Sequence, residues 1–248
     1  MFVSLSILGV VIGFLSGFFA IGGGTMLVPA LMFAGYDIKT AIGISVTQMV
    51  FSSLFGSYLN YKKGTLHVGN SLAVGVGGFL GALNSGFIVT HLSSKVLTVI
   101  FLSFVVLAIY RFFKAPQVSD KPEINNNLLL FFIGYFVGTM SISVGIGGAL
   151  LITPILVGFL NFPLKKALSS ALFFVIFSSV SGFASLSYFG HIDYAKGFLV
   201  GAFSLLGVYF GIKLSHKTDK KRHKKLLLVF YVIILLLILN KLFKPFGV

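Results

Sequence analysis

The chain has 248 residues, 57% of them hydrophobic and only 10% charged, with a mean hydropathy of +1.04. That balance excludes a soluble domain and leaves a polytopic membrane protein, because apolar spans of about 20 residues fill the chain and leave no room for a globular domain outside the bilayer. Nineteen Lys and Arg against five Asp and Glu give +14, which in this setting reads as loops held at an anionic inner leaflet and not as a nucleic-acid surface.

There is no cysteine, so disulfides, thiolate catalysis and Cys-ligated metal are excluded, and with no tryptophan the interfaces fall to Tyr and Phe. The first apolar block, about residues 3–20, lacks a basic leader and runs directly into glycines, so it is read as part of the mature bundle and not as a cleaved signal peptide.

Next comes IGGGTMLVP at 21–29, where three glycines and a proline fall inside an apolar stretch. A short block at 25–35 follows, then three at 41–60, 69–90 and 95–113 that are long enough to span. The polar run KAPQVSDKPEINNN, residues 114–127, marks a seam. It divides the chain into a first membrane repeat at 1–115, a linker at 116–127 and a second repeat at 128–248. Apolar blocks in the second half lie at about 128–145, 149–160, 167–189, 195–214 and 226–243.

The halves are copies. Shifting by 125 residues lays Gly9, Gly13, Ser16, Ile21, Gly22, Gly23 and Pro29 onto Gly134, Gly138, Ser141, Ile146, Gly147, Gly148 and Pro154. One extra residue then brings Ala41, Ser52, Ser53, Gly56, Gly64, Gly75 and Gly81 onto Ala167, Ser178, Ser179, Gly182, Gly190, Gly201 and Gly207, so that GTLH at 64–67 matches GHID at 190–193.

If the two blocks flanking each glycine cluster cross twice or form a re-entrant pair, each half reverses direction an odd number of times and the halves lie inverted. The loops at 61–69, 111–127, 161–166 and 213–225 then share one face and hold 14 of the 19 basic residues; parallel halves would divide them 11 to 8. The positive-inside bias favours inversion, with those four loops cytoplasmic. The expected fold is an all-α, polytopic membrane helix bundle of two inverted repeats, roughly eight membrane segments, with broken or short helices at the glycine motifs.

A helix broken at membrane depth frees backbone N–H and C=O groups, so breaks persist only where they are buried in protein or line a wet cavity. Small residues also serve close helix packing, and one glycine cluster alone would read that way. Two clusters, each followed by a proline at the same distance and a short block, point instead to a binding site. Glycine allows close backbone approach, and a half-helix N-terminus offers N–H groups and partial positive charge to an anion.

Neutral side chains near the breaks are Thr25, Ser45, Thr47 and Gln48 in the first half, and Ser141, Ser143, Thr153, Ser169 and Ser170 in the second. Gln48 stands out because a buried amide needs partners and its counterpart, Phe174, is apolar. Asn84 reads as a helix–helix hydrogen bond. No Asp, Glu, Lys or Arg falls well inside a block, which suits an anion better than a proton or metal cation. Asp37, His67, His191 and Asp193 lie at block ends and read as caps or interface residues. No HExxH or GxSxG occurs, and the loose glycine pattern at 145–148 lacks the strand a dinucleotide site requires, so no enzyme, cofactor or metal is expected.

Around GFLSGFFAIGGGTMLVPAL and GTMSISVGIGGALLITPIL, with TAIGISV and KALSSAL after the short blocks, the chain resembles the TauE/SafE, or sulfite exporter, family of membrane transporters over essentially its whole length. The resemblance implies a secondary transporter in the plasma membrane moving a small sulfur oxyanion or organosulfonate. It places the family's glycine motif on Gly22, Gly23 and Gly24 and on Gly147 and Gly148, with Ala149 replacing the third glycine, and Ser169 and Ser170 where members carry a Thr-Ser pair. With Thr25, Thr47 and Gln48 these form the expected substrate site. An anion channel and a permease for a non-sulfur solute are the alternatives. The expected partners are the anion, membrane lipid, a coupling ion and a second copy of the chain, with no nucleic acid.

Overall fold

The computed structural model describes residues 2–19, 22–62, 64, 68–114 and 122–219, together with scattered positions between 222 and 236. Among the described residues the regular structure is helical throughout: α1 (Phe2–Phe19), α2 (Gly24–Phe33), α3 (Ile38–Lys62), α4 (Val68–Ala82), α5 (Ser85–His91), α6 (Ser94–Lys114), α7 (Asn127–Ser143), α8 (Ala149–Gly158), α9 (Leu164–Tyr188) and α10 (Tyr194–Lys217). Five stretches are long and apolar enough to cross a membrane: Phe2–Phe19, Ile38–Lys62, Ser71–His91, Lys166–Tyr188 and Tyr194–Ser215. The expected block at 226–243 lies largely outside the described residues.

Glycine sets the tightest packing. Gly9, Gly13 and Gly17 of α1 press on the backbone of Val200, Ser204 and Val208 of α10, and Gly207 and Gly211 of α10 return the contact at Val10 and Phe14. Likewise Gly134 and Gly138 of α7 press on Val74 and Gly78 of α4, so each pair joins one helix from either side of the linker. Within lipid, association comes from such backbone approach, because burying apolar surface against apolar lipid contributes little. In both pairs residue numbers climb together, so α1 runs parallel to α10, and α4 to α7.

Between these pairs lie α3 and α9. Ser53 and Ser179, counterparts in the two halves, face each other at 3.4 Å, and Gly56 meets Leu172. Numbers climb along one helix as they fall along the other, so α3 and α9 are antiparallel. Gly197 and Gly201 of α10 meet Thr47 and Phe51, making α10 parallel to α3, while Ser181 and Ser185 of α9 donate to the carbonyls of Phe79 and Leu83, making α9 parallel to the α4–α5 segment.

The block expected at 69–90 is two helices, not one. The Gly81 carbonyl accepts from the Asn84 N–H, the Asn84 amide and the Thr139 hydroxyl of α7, which replace its regular helical donor and end α4 at Ala82. Asn84 also donates to the Tyr135 hydroxyl, so it is the interhelical bond the sequence suggested. Part of the linker is docked: Glu123 pairs with Lys166 at 2.5 Å, and Asn126 caps α7 by accepting from the Leu128 and Leu129 amides.

The exterior carries large apolar side chains such as Phe2, Ile7, Phe132, Phe136, Leu206 and Phe210, as a lipid-facing surface requires, whereas Ser, Thr and Gln are buried inside.

Candidate functional site

The glycine clusters are breaks in the helices. Gly22 and Gly23 have φ of 81° and 80°, and Gly147 and Gly148 have 82° and 77°. A residue with a Cβ enters this left-handed region only at a cost of about 1–2 kcal/mol, which is why glycine stands at all four. Gly145, φ 74°, closes α7 with a Schellman turn in which the Ile146 N–H donates to the Ser141 carbonyl at 2.8 Å.

After each break a ten-residue helix starts afresh. Its N-cap is a glycine, Gly23 for α2 and Gly148 for α8, and no side chain caps either end. The first N–H groups of these helices therefore lack the usual capping acceptor. Pro29 and Pro154 lie inside the two short helices and withhold an N–H from the carbonyls of Thr25 and Leu150, one turn earlier.

Both breaks converge on the middle of α3. The thioether of Met49 lies against Gly22, Gly24 and Gly147, and Val175, the counterpart of Met49, lies against Gly22. Two hydrogen bonds tie the halves together here. The Ser45 hydroxyl donates to the Gly145 carbonyl at 2.9 Å, and the Thr25 hydroxyl donates to the Ile146 carbonyl at 3.5 Å. Gln48 presses its amide onto Gly23, and neither its Oε1 nor its Nε2 has a hydrogen-bond partner among the described residues.

Of the residues expected to form a site, Gly22, Gly23, Gly24, Thr25, Gln48 and Gly147 meet around Met49 and Gly145, with Gly148 following at the start of α8. Thr47 does not join them: it donates to the Gly43 carbonyl of its own helix, and its side chain packs on Gly197. Ser170 accepts from Ser71 of α4 at 2.8 Å, on the side of α9 that faces α4, with Ser169 buried next to it. Ser45, one turn before Met49, was visible in the sequence as a polar residue one helical turn from Gln48. Met49 and Val175 carried no such signal.

The ionisable residues lie at the helix ends. Asp37 accepts from the Lys39 N–H and the Ser94 hydroxyl, and Asp193 caps α10 by accepting from the Lys196 N–H. The side-chain hydrogen bond from Lys196 holds the Asp193 carboxyl below its ordinary value. His191, bonded to the Thr90 hydroxyl at 2.9 Å, has its pKa lowered by burial first and by the nearby Lys39 charge second. His67 lies outside the described residues. Among the described residues no group of three His, Asp or Glu is placed to hold a metal ion.

An all-helical chain with several membrane-length helices, two of its short helices beginning at buried backbone breaks, defines a multi-pass integral membrane protein of the transporter kind. The chain belongs to the sulfite exporter TauE/SafE family, whose model matches residues 5–238. It is 28% identical over 224 residues to the probable membrane transporter protein YdhB of Bacillus subtilis strain 168, covering 86% of this chain and 89% of that one. It is similar also to the probable membrane transporter protein MJ0441 of Methanocaldococcus jannaschii, 25% identical over 235 residues, with 88% and 87% covered. A third relative, the probable membrane transporter protein YunE of B. subtilis strain 168, is 24% identical over 249 residues, with 89% of each chain covered. No solved structure matches the chain.

Proposed function

We propose that this chain is a secondary transporter of the plasma membrane that carries a small anion, a sulfur oxyanion or organosulfonate, by alternating access. The observation that carries the reading is the convergence of the two breaks. An uncapped half-helix N-terminus, α2 at Gly23 and Gly24, meets the buried amide of Gln48 and the segment Gly145–Gly147. A helix N-terminus favours negative charge by about 0.3–1 kcal/mol at exposed sites and more when partly buried, and backbone N–H groups donate to an oxyanion without a formal positive charge that would hold it too tightly to release.

The halves are read as inverted repeats. Support comes from α3 and α9, which correspond in sequence and pack antiparallel, and from α1 and α7, which correspond and run with oppositely directed partners. In such an arrangement, rocking one half against the other exposes a central site to each side in turn. Ser45, Thr25 and Met49, which join the halves at the breaks, lie where that motion would be felt.

The test is a thermal-shift screen of the detergent-purified chain against sulfite, thiosulfate, sulfate, sulfoacetate, taurine and non-sulfur anions. A ligand of the folded state present at about a hundred times its Kd adds about 2.7 kcal/mol of stability. A selective upward shift with a sulfur-containing ion supports the reading; equal response to all anions, or response to none, contradicts it.

A further inference from the structure

The two breaks differ in what stands beside them. A Cβ on Gly23 would strike the amide of Gln48; a Cβ on Gly148, the counterpart of Gly23, would strike the ring of Phe174, the counterpart of Gln48. On its other side the Phe174 ring presses against Gly78 of α4, and it is fully buried. A phenyl ring held between two glycines is satisfied by packing alone and leaves no polar group waiting.

Gln48 is in the opposite condition. It is 0% exposed, and its carbonyl oxygen and both N–H donors are unpaired among the described residues. Buried polar side chains are nearly always hydrogen-bonded, and an unmade bond is costly. An amide kept in that state at the uncapped start of α2 has a use when a polar group arrives there. An arriving anion brings acceptor oxygens, which match the Nε2 donors and the first N–H groups of α2 together.

Resting on the anion reading above, we propose that the duplicated breaks form one asymmetric site and not two equivalent ones. Gln48 and the N-terminus of α2 hold the anion, while Phe174 plugs the matching position beside α8. Gln48 is then the residue that distinguishes an oxyanion from an apolar solute. The break at Gly147 and Gly148 packs against Met49 and Phe174 and contributes no second polar reader.

The test uses the purified full chain with the tightest anion of the thermal-shift panel, sulfite being the first probe, in isothermal titration. Gln48→Met replaces the amide with an unbranched apolar side chain of similar length. It is expected to weaken binding by at least about tenfold, the loss of a hydrogen bond to a charged group, and to raise the melting temperature of the ligand-free protein because an unpaired buried amide is gone. Phe174→Leu is expected to bind within about threefold of wild type, with one anion per chain throughout. Gln48→Asn, which keeps an amide but shortens its reach, is the control for folding and is expected to weaken binding without raising the melting temperature.

A purely structural Gln48 predicts the reverse for Gln48→Met, a lowered melting temperature with affinity unchanged, and that result overturns the proposal. So does a stoichiometry of two, or a Phe174→Leu variant as weak as Gln48→Met. Failure of the wild-type chain to bind any anion of the panel overturns the anion reading itself, and this proposal with it.

Discussion

The segment around Gly22–Gly24 and the segment around Gly147–Ala149 align in sequence and share the same backbone, with φ near 80° at matched glycines and a proline-containing helix of ten residues after each. They differ in side chains: Gln48 and Gly24 at the first, Phe174 and Ala149 at the second. The costly backbone feature thus stands in both segments, while polarity at the neighbouring helix is found in only one. In the proposed site the backbone break carries the shape, and the helix beside it carries the chemistry.

The sharpest way to break that comparison is to place the same residue at both N-caps. Gly23→Val forces a branched side chain into positive φ and into the Gln48 amide, and is expected to reduce anion binding by more than about a hundredfold, since about 3 kcal/mol or more of strain and lost contact is involved. Gly148→Val meets the Phe174 ring and the Ser141 hydroxyl instead, so its main effect is expected on the melting temperature, with binding weakened by less than about tenfold where the protein folds. Affinity by titration and size-exclusion profile, measured together, separate the two effects. Equal loss of binding in both variants would mean that the breaks act alike.

A second comparison concerns direction. Because the chain has no cysteine, single cysteines can be introduced without a background. With inverted halves, cysteines at Gly64 and Gly190, counterparts near the ends of α3 and α9, are expected to react with an impermeant maleimide from opposite sides of the membrane. Labelling of both from one side would make the halves parallel.

Much of this was legible in the sequence, for physical reasons. Left-handed glycines and a helix proline have few substitutes, so both breaks were visible at Gly22–Gly24 and Gly147–Gly148, and the mismatch of Gln48 with Phe174 followed from the alignment of the halves. The direction in which a side chain faces was not legible. Thr47 adjoins Gln48 in sequence, yet it turns toward Gly197 of α10, because every face of α3 near its middle is covered by protein and composition does not distinguish them. The ending of α4 at Ala82 was hidden too, since it depends on Thr139 of α7 reaching the Gly81 carbonyl from a distant part of the chain.

The smallest expected effect is a pH dependence at the helix ends. His191 has a lowered pKa, so the unfolded chain takes up a proton more readily than the folded one. Its contribution is fully present above the unfolded value of about 6.5 and is lost as pH falls through the lower folded value. Apparent stability is expected to decline modestly on acidification below about pH 6.5, and His191→Gln is expected to flatten that decline in a melting series, while anion affinity at pH 7.5 stays unchanged. A decline identical in His191→Gln would assign it to other groups.

Transport itself is tested most directly by flux. Purified protein reconstituted into liposomes and given radiolabelled sulfite, or whichever panel ion shifts it most, should show uptake that saturates with concentration and exceeds that of empty liposomes. Gly23→Val protein reconstituted to the same density should fall to the empty-liposome rate. Uptake that rises linearly without saturation would describe a channel, and wild-type uptake no faster than empty liposomes would contradict the account.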